Sequence, residues 1–114
     1  MGSSTIAIKI YSGIVFLHME EILCCIACGR YTKILTVDGR EFLLTRVLKE
    51  VETNLSCDDF YRTHKSFLIN LNHIVHYQNN NEASITLLHN VKVQLAKRRK
   101  QEFQKVIKER VRTI

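Results

Sequence analysis

Four cysteines and five histidines are the residues of this chain with the widest chemical reach, and two of their spacings raise a question. Cys25-Ile26-Ala27-Cys28 has the C-x-x-C spacing of a redox pair or half a zinc site, with Cys24 adjacent and Cys57 far along the chain. A redox thiol needs a lowered pKa, which a helix N-terminus supplies. This pair instead lies in the apolar run 22–28, where a strand is expected and residues three apart face opposite sides. Zinc would need two more ligands nearby, and only Cys57 is an obvious further thiol. The cysteines are therefore read as buried, reduced, structural thiols. His73 and His76 form an H-x-x-H at a strand entry, with no carboxylate placed to orient them, so no metal is expected. Glycine-rich phosphate loops, a G-x-S-x-G elbow and paired acids in a polar pocket are absent from the sequence, and neither enzyme activity nor a cofactor is expected. Asp58-Asp59 is read as a solvated turn.

Three polar, basic segments carry the remaining chemistry: Arg30-Tyr31-Thr32-Lys33, His64-Lys65-Ser66 and Lys97-Arg98-Arg99-Lys100. Each stands at the end of an expected strand. Brought together, they would offer arginine and lysine to guanine O6 and N7, and serine and backbone N–H groups to phosphate oxygens. The charge distribution agrees. The chain carries +6 overall, but residues 92–112 hold nine basic residues against two acidic, whereas residues 1–91 hold eight against nine. The body is neutral and the C-terminal end strongly basic, as suits a polyanionic partner. Single-stranded RNA is less favoured, because few aromatics lie outside core-like positions. A solvated helix face is the alternative reading of the basic tail.

The elements that must position these segments follow from periodicity. At 114 residues and 46% hydrophobic, the chain suffices for one core. Residues 1–5 are read as a disordered tail or cloning scar and 6–114 as a single domain. Neither a membrane span nor a signal peptide is evident, and the chain is read as soluble and cytoplasmic. Residues 6–10 and 14–17 form a hairpin about Ser12-Gly13, followed by a short turn at 18–21 and the strand 22–28. Residues 31–37 and 40–44 form a second hairpin, with Asp38-Gly39 supplying the positive φ angles of a tight two-residue turn. Val47, Leu48, Val51 and Leu55 fall at helical spacing, with Thr45 as the expected N-cap. Residues 60–64 return to a strand. Ser66 is read as capping a short helical turn through Leu71, ended by Asn70 and Asn72. Residues 74–95 form a three-stranded meander. From Lys97, the positions of Phe103, Val106, Ile107 and Val111 mark an amphipathic helix.

One long segment carries a family resemblance. Phe60-Tyr61-Arg62-Thr63-His64-Lys65-Ser66-Phe67-Leu68-Ile69-Asn70 follows, nearly throughout, the F-x-R-x-H-[RKN]-S-[FY]-hydrophobic-[VI]-N pattern of LytTR-type DNA-binding domains, the output modules of many bacterial two-component response regulators. Gly29-x-Tyr31-Thr32-Lys33-Ile34, Val37-Asp38-Gly39, Leu48-Lys49-Glu50-Val51 and Lys97-Arg98-Arg99 support it, so the resemblance runs from about Ile6 to Val106. It implies a mainly β fold, an elongated stack of small antiparallel β-sheets with one short central helix and a C-terminal basic helix. It also implies sequence-specific binding of double-stranded DNA for transcription regulation, with loops rather than a recognition helix in the major groove. Two copies on a repeated site are implied, with RNA polymerase a further partner.

Carried onto this chain, the base contacts fall at Tyr31, Lys65 and Arg98. Arg30, Thr32, Lys33, His64, Ser66, Lys97 and Arg99 become backbone-contacting or loop-shaping residues. Arg30 replaces a frequent asparagine, and Ala96 a frequent serine whose hydroxyl would have met the backbone. Arg62 is read as an ion-pair or phosphate residue, Asn70 as satisfying backbone groups, and Lys105, Lys108, Arg110 and Arg112 as a solvated helix face. Response regulators of this kind carry a receiver domain, and none is evident in this chain. Two other classes stay open: a protein-interaction or dimerisation module with a basic tail, and a thiol or zinc sensor.

Overall fold

The computed structural model describes residues 5–55 and 57–114. Among the described residues, ten strands and two α-helices follow one another. Strands β1 (Thr5–Ile10) and β2 (Gly13–His18) form the first hairpin, and a single 3-10 turn leads to β3 (Ile22–Cys28). β4 (Tyr31–Thr36) and β5 (Glu41–Leu44) precede the short helix α1 (Leu48–Asn54). β6 (Phe60–His64) and β7 (Phe67–Asn70) form a further hairpin. β8 (Ile74–Gln78), β9 (Ser84–Leu87) and β10 (Val91–Gln94) form the meander, and α2 (Lys100–Arg110) follows. Seven strands make one sheet in the order β2-β1-β5-β4-β3-β7-β6, and three make a second in the order β10-β9-β8. All pairings are antiparallel, and the molecule measures 44 × 31 × 25 Å, in keeping with the expected elongated, mainly β architecture.

Strand β3, an interior strand of the larger sheet, is covered on both faces, which explains the unbroken apolar run at 22–28. A strand buried on both faces has no solvent side and need not alternate. Ile22 and Cys25 of β3 join one core with Ile8, Ile34, Leu48, Val51 and Leu68, whereas Leu23 and Cys24 join a second with Ile69, Ile85, Leu87 and Phe103. A register shift between Ile22 and Cys24 accompanies this switch of faces. Cys24 and Cys25 are buried and Cys28 and Cys57 exposed, so the structural reading holds for two of the four thiols. Burial pushes the Cys24 thiol up to about 12, and that of Cys25 is raised as well, so neither is a ready nucleophile.

Several local expectations are corrected. The reading of residues 1–4 as a tail lies outside the described residues, but Thr5 already belongs to β1, where it pairs with His18. Asp38 does not take positive φ; Gly39 alone does, at +89°. The Gly39 N–H donates to the Thr36 carbonyl and Thr36 N–H to the Arg40 carbonyl, so the connection is wider than a two-residue turn. Helix α1 has Val47, not Thr45, at its N-cap, because the Thr45 N–H and hydroxyl both go to the Lys9 carbonyl of β1. Val47 is exposed, and Val111 lies beyond α2 in extended backbone. Ser66 caps no helix. Residues 67–70 form β7, paired on one side with β3 and on the other with β6. The helical turn begins at Leu71 instead, where the Asn70 side chain accepts from the Asn72 N–H.

Candidate nucleic-acid interface

Strand pairing brings the three basic segments to one end of the larger sheet. Cys28 pairs with Tyr31 across a two-residue turn, in which Gly29 takes φ +61°, a conformation that a side chain would strain. β7 lies on the other side of β3 with Phe67 opposite Ile26, and the Ala27 N–H donates to the Ser66 carbonyl at 2.9 Å. The loop at 64–66 therefore stands beside the loop at 29–31. The third segment is attached to the second: the Ala96 N–H donates to the Thr63 carbonyl at 2.8 Å, just before the 3-10 turn Lys97–Arg99 that opens α2. Two main-chain bonds thus fix three loops relative to one another. No carboxylate lies in residues 29–33, 64–66 or 96–100.

Arg62 holds the middle loop. Its side chain, only 16% exposed, donates from Nε to the His64 carbonyl at 2.9 Å and from Nη2 to the Lys65 carbonyl at 2.7 Å. Nη1 meets Glu52 Oε1 of α1 at 2.7 Å. The guanidinium fork is what allows one side chain to serve three acceptors. Of the two roles open to Arg62 in sequence, the geometry gives the ion pair. The Ser66 N–H donates to His64 Nδ1 at 3.1 Å, which leaves the neutral ring its proton on Nε2. Lys65 projects from this frame, exposed. Asn70, buried at the far end of β7, donates to the Ile22 carbonyl at 3.0 Å and so supports the scaffold as expected.

The other site residues divide by exposure. Tyr31 is 46% exposed, and Arg30, Lys97 and Arg98 are exposed. Lys33 is half-buried and 3.5 Å from Glu41, an exposed pair of small energetic weight. Thr32 is fully buried, and its hydroxyl donates to the Arg46 carbonyl at 2.8 Å, so loop shaping is the part of its expected role that geometry permits. Arg99 turns back toward the body, 3.7 Å from Glu102. Glu102 in turn accepts from the Tyr61 hydroxyl at 2.6 Å. Burial, then the hydrogen bond to Glu102, pushes the Tyr61 phenol up to about 12, with Arg99 opposing the rise. Arg110 is not a solvated cation: it reaches the Asp58 carbonyl, Asp59 Oδ1 and Asn72 Oδ1. Asp58-Asp59 is a turn as read, with Asp58 exposed, and the Asp59 carboxylate meets Arg110 at 3.2 Å.

Two residues at this end escaped sequence reasoning. Arg46 follows β5 at the level of Thr32, exposed, and lies in an unremarkable polar stretch where only the β4–β5 register reveals it. Glu52 lies on α1, and its partner Arg62 stands ten positions away in another element, beyond the reach of local periodicity. Thr63, under the middle loop, is fully buried, and its hydroxyl has no partner among the described residues. Thr63→Val should therefore leave stability unchanged or raise it by about 1 kcal/mol in denaturant titrations; a loss of that size would mean that the hydroxyl is satisfied after all.

The thiol and imidazole motifs do not assemble. Cys25 is buried and Cys28 exposed, on opposite sides of β3. His73 Nε2 lies 2.8 Å from the Glu20 carbonyl, while His76 is exposed. Among the described residues, no three His, Cys, Asp or Glu side chains cluster as metal ligands, and no helix is long and apolar enough to cross a membrane.

Residues 12–108 match the family model of the LytTr DNA-binding domain. No curated protein matches the chain. Among solved structures, the LytTr DNA-binding domain of a Bacillus cereus response regulator is similar to it in fold, with a TM-score of 0.79 at 21% identity, over 93% of this chain and 98% of the other.

Proposed function

The chain belongs to the LytTR DNA-binding domain family, and on that premise we propose that it binds double-stranded DNA sequence-specifically, with its three clustered loops in the major groove, to regulate transcription. The observation that carries this reading is the junction of those loops. Main-chain bonds from Ala27 to Ser66 and from Ala96 to Thr63 hold exposed Tyr31, Lys65 and Arg98 side by side on an end without carboxylates in its loops. Tyr31, Lys65 and Arg98 read bases in this assignment. Arg30, Lys97 and the Nε2–H of His64 meet phosphates, and Ser66, Lys33 and Arg99 shape the loops.

Lys65→Ala and Arg98→Ala should each weaken binding to a duplex selected from a random library by about 1–3 kcal/mol. Each should relax sequence preference at one position more than elsewhere. Affinity should also fall steeply with salt, because phosphate contacts release counterions. Wild-type affinity in either variant would remove that loop from the base contacts, and a flat salt dependence would sink a phosphate-led interface.

The family is one of DNA-binding domains, not of enzymes, and the remaining proposals follow from its usual setting. They are occupancy of a repeated site by two copies, contact with RNA polymerase, and service as a cytoplasmic output domain of a bacterial two-component system. One observation speaks for the interaction-module alternative. β2 is an uncharged edge strand with Ile14 and Phe16 exposed by 54% and 55%, a surface that invites pairing. Sedimentation without DNA separates the two readings: a stable oligomer lacking salt-sensitive duplex binding would favour that module.

A further inference from the structure

β1 joins the larger sheet at a single point. Ile10 pairs with Leu44 and the Thr45 N–H donates to the Lys9 carbonyl at 3.2 Å, while the other pairings of β1 go to β2. The strand therefore parts from β5, and a recess of about 400 Å³ opens between it and α1. That volume lies within the ~300–1,000 Å³ of small-molecule sites. Its apolar lining comes from Ile8, Ile34, Leu44, Val51 and Leu55, all buried members of one core. Arg46 and Lys9 supply the charge, and no carboxylate is among the lining residues. Arg46 is 3.2 Å from Glu50, but both side chains are about half exposed, so the pair is weak and the guanidinium can change partner.

We propose that this recess binds a small amphipathic anion: a carboxylate with an apolar body that lies over Ile8, Val51 and Leu55 while its head group takes a two-pronged contact from Arg46. Arginine suits a planar carboxylate because its parallel N–H groups match the two oxygens. Lys9 adds a second positive charge on the same side. The site is separate from the three loops, yet it stands directly behind the first, since the Arg46 carbonyl accepts the Thr32 hydroxyl. One of its walls, β1, lies outside the residues that match the family model.

Titration of the isotope-labelled chain with decanoate, followed by amide chemical shifts, tests the assignment without DNA. Saturable changes confined to the amides around Ile8, Leu44, Val51 and Leu55 are expected, with decanol binding about tenfold more weakly. Arg46→Gln, on the surface, should weaken decanoate by a similar factor and leave decanol unchanged, and Val51→Phe should fill the recess and abolish both. Equal binding of decanoate and decanol, indifference to Arg46→Gln, or shifts centred on Ile14 and Phe16 would each overturn the proposal.

Discussion

Phe103→Ala should lower the unfolding free energy by about 3–5 kcal/mol, the range for removing a fully buried aromatic ring. Phe103 has no exposed surface, and it is the one fully buried side chain of α2. Its ring lies 5.6 Å from that of Tyr61 and 5.0 Å from that of Tyr77, tilted to the first and edge-on to the second. Such aromatic arrangements add to what burial alone contributes. With Val106 and Ile107 beside it, Phe103 fastens α2 to the core shared by both sheets. The functional effect should follow directly, since the turn bearing Lys97 and Arg98 leads straight into α2. Urea titration read against duplex affinity checks both parts. A loss below about 1.5 kcal/mol, within the range of mild core changes, would mean that another contact moors the third loop.

Arg62→Ala should cost about 2–3 kcal/mol, with the loss centred on the middle loop. The ion pair with Glu52 contributes the smaller share, because Glu52 is 43% exposed and solvent screens it. The two carbonyl bonds weigh more, since they come from a charged donor that is largely withdrawn from water. Arg62→Lys should recover less than half of the loss, because an ammonium on a flexible stem lacks the fork that serves both carbonyls and the carboxylate. Hydrogen exchange at the Ala27 amide gives a local readout, because that N–H donates to the Ser66 carbonyl of the loop itself. Faster exchange at Ala27 together with weaker specific binding is expected. An Arg62→Ala protein as stable and as tightly bound as wild type would leave the loop without its clamp and remove the argument for rigid mounting.

Local chemistry made much of this fold legible. β3 and β6 occupy the residues that their apolar and alternating patterns mark, and the meander of β8 to β10 follows its punctuation. The misreadings share a cause. Residues 66–71 resemble a capped helical turn in isolation, but 67–70 become a strand because β3 and β6 supply ladder partners on both sides. Thr45 has the chemistry of an N-cap, but the Lys9 carbonyl, 36 positions away, claims its hydroxyl. The basic tail looked uniform in sequence. In the fold, Arg98 faces solvent, Arg99 meets Glu102, and Arg110 pins residues more than 35 positions distant. Charge density is visible in a sequence; which charges are already spoken for is decided by long-range packing.

The grip on the middle loop has a consequence for how such a domain acquires a new target. Arg62 holds the main-chain carbonyls of positions 64 and 65 and takes nothing from the side chain at 65. In the proposed interface, where Lys65 reads a base, the mount and the reading head are therefore separable. Replacing Lys65 by glutamine or asparagine, which favour adenine over guanine, should exchange one base preference for another without remaking the loop. Recognition can then drift one position at a time while the scaffold stays constant, and each intermediate remains a folded, DNA-competent protein.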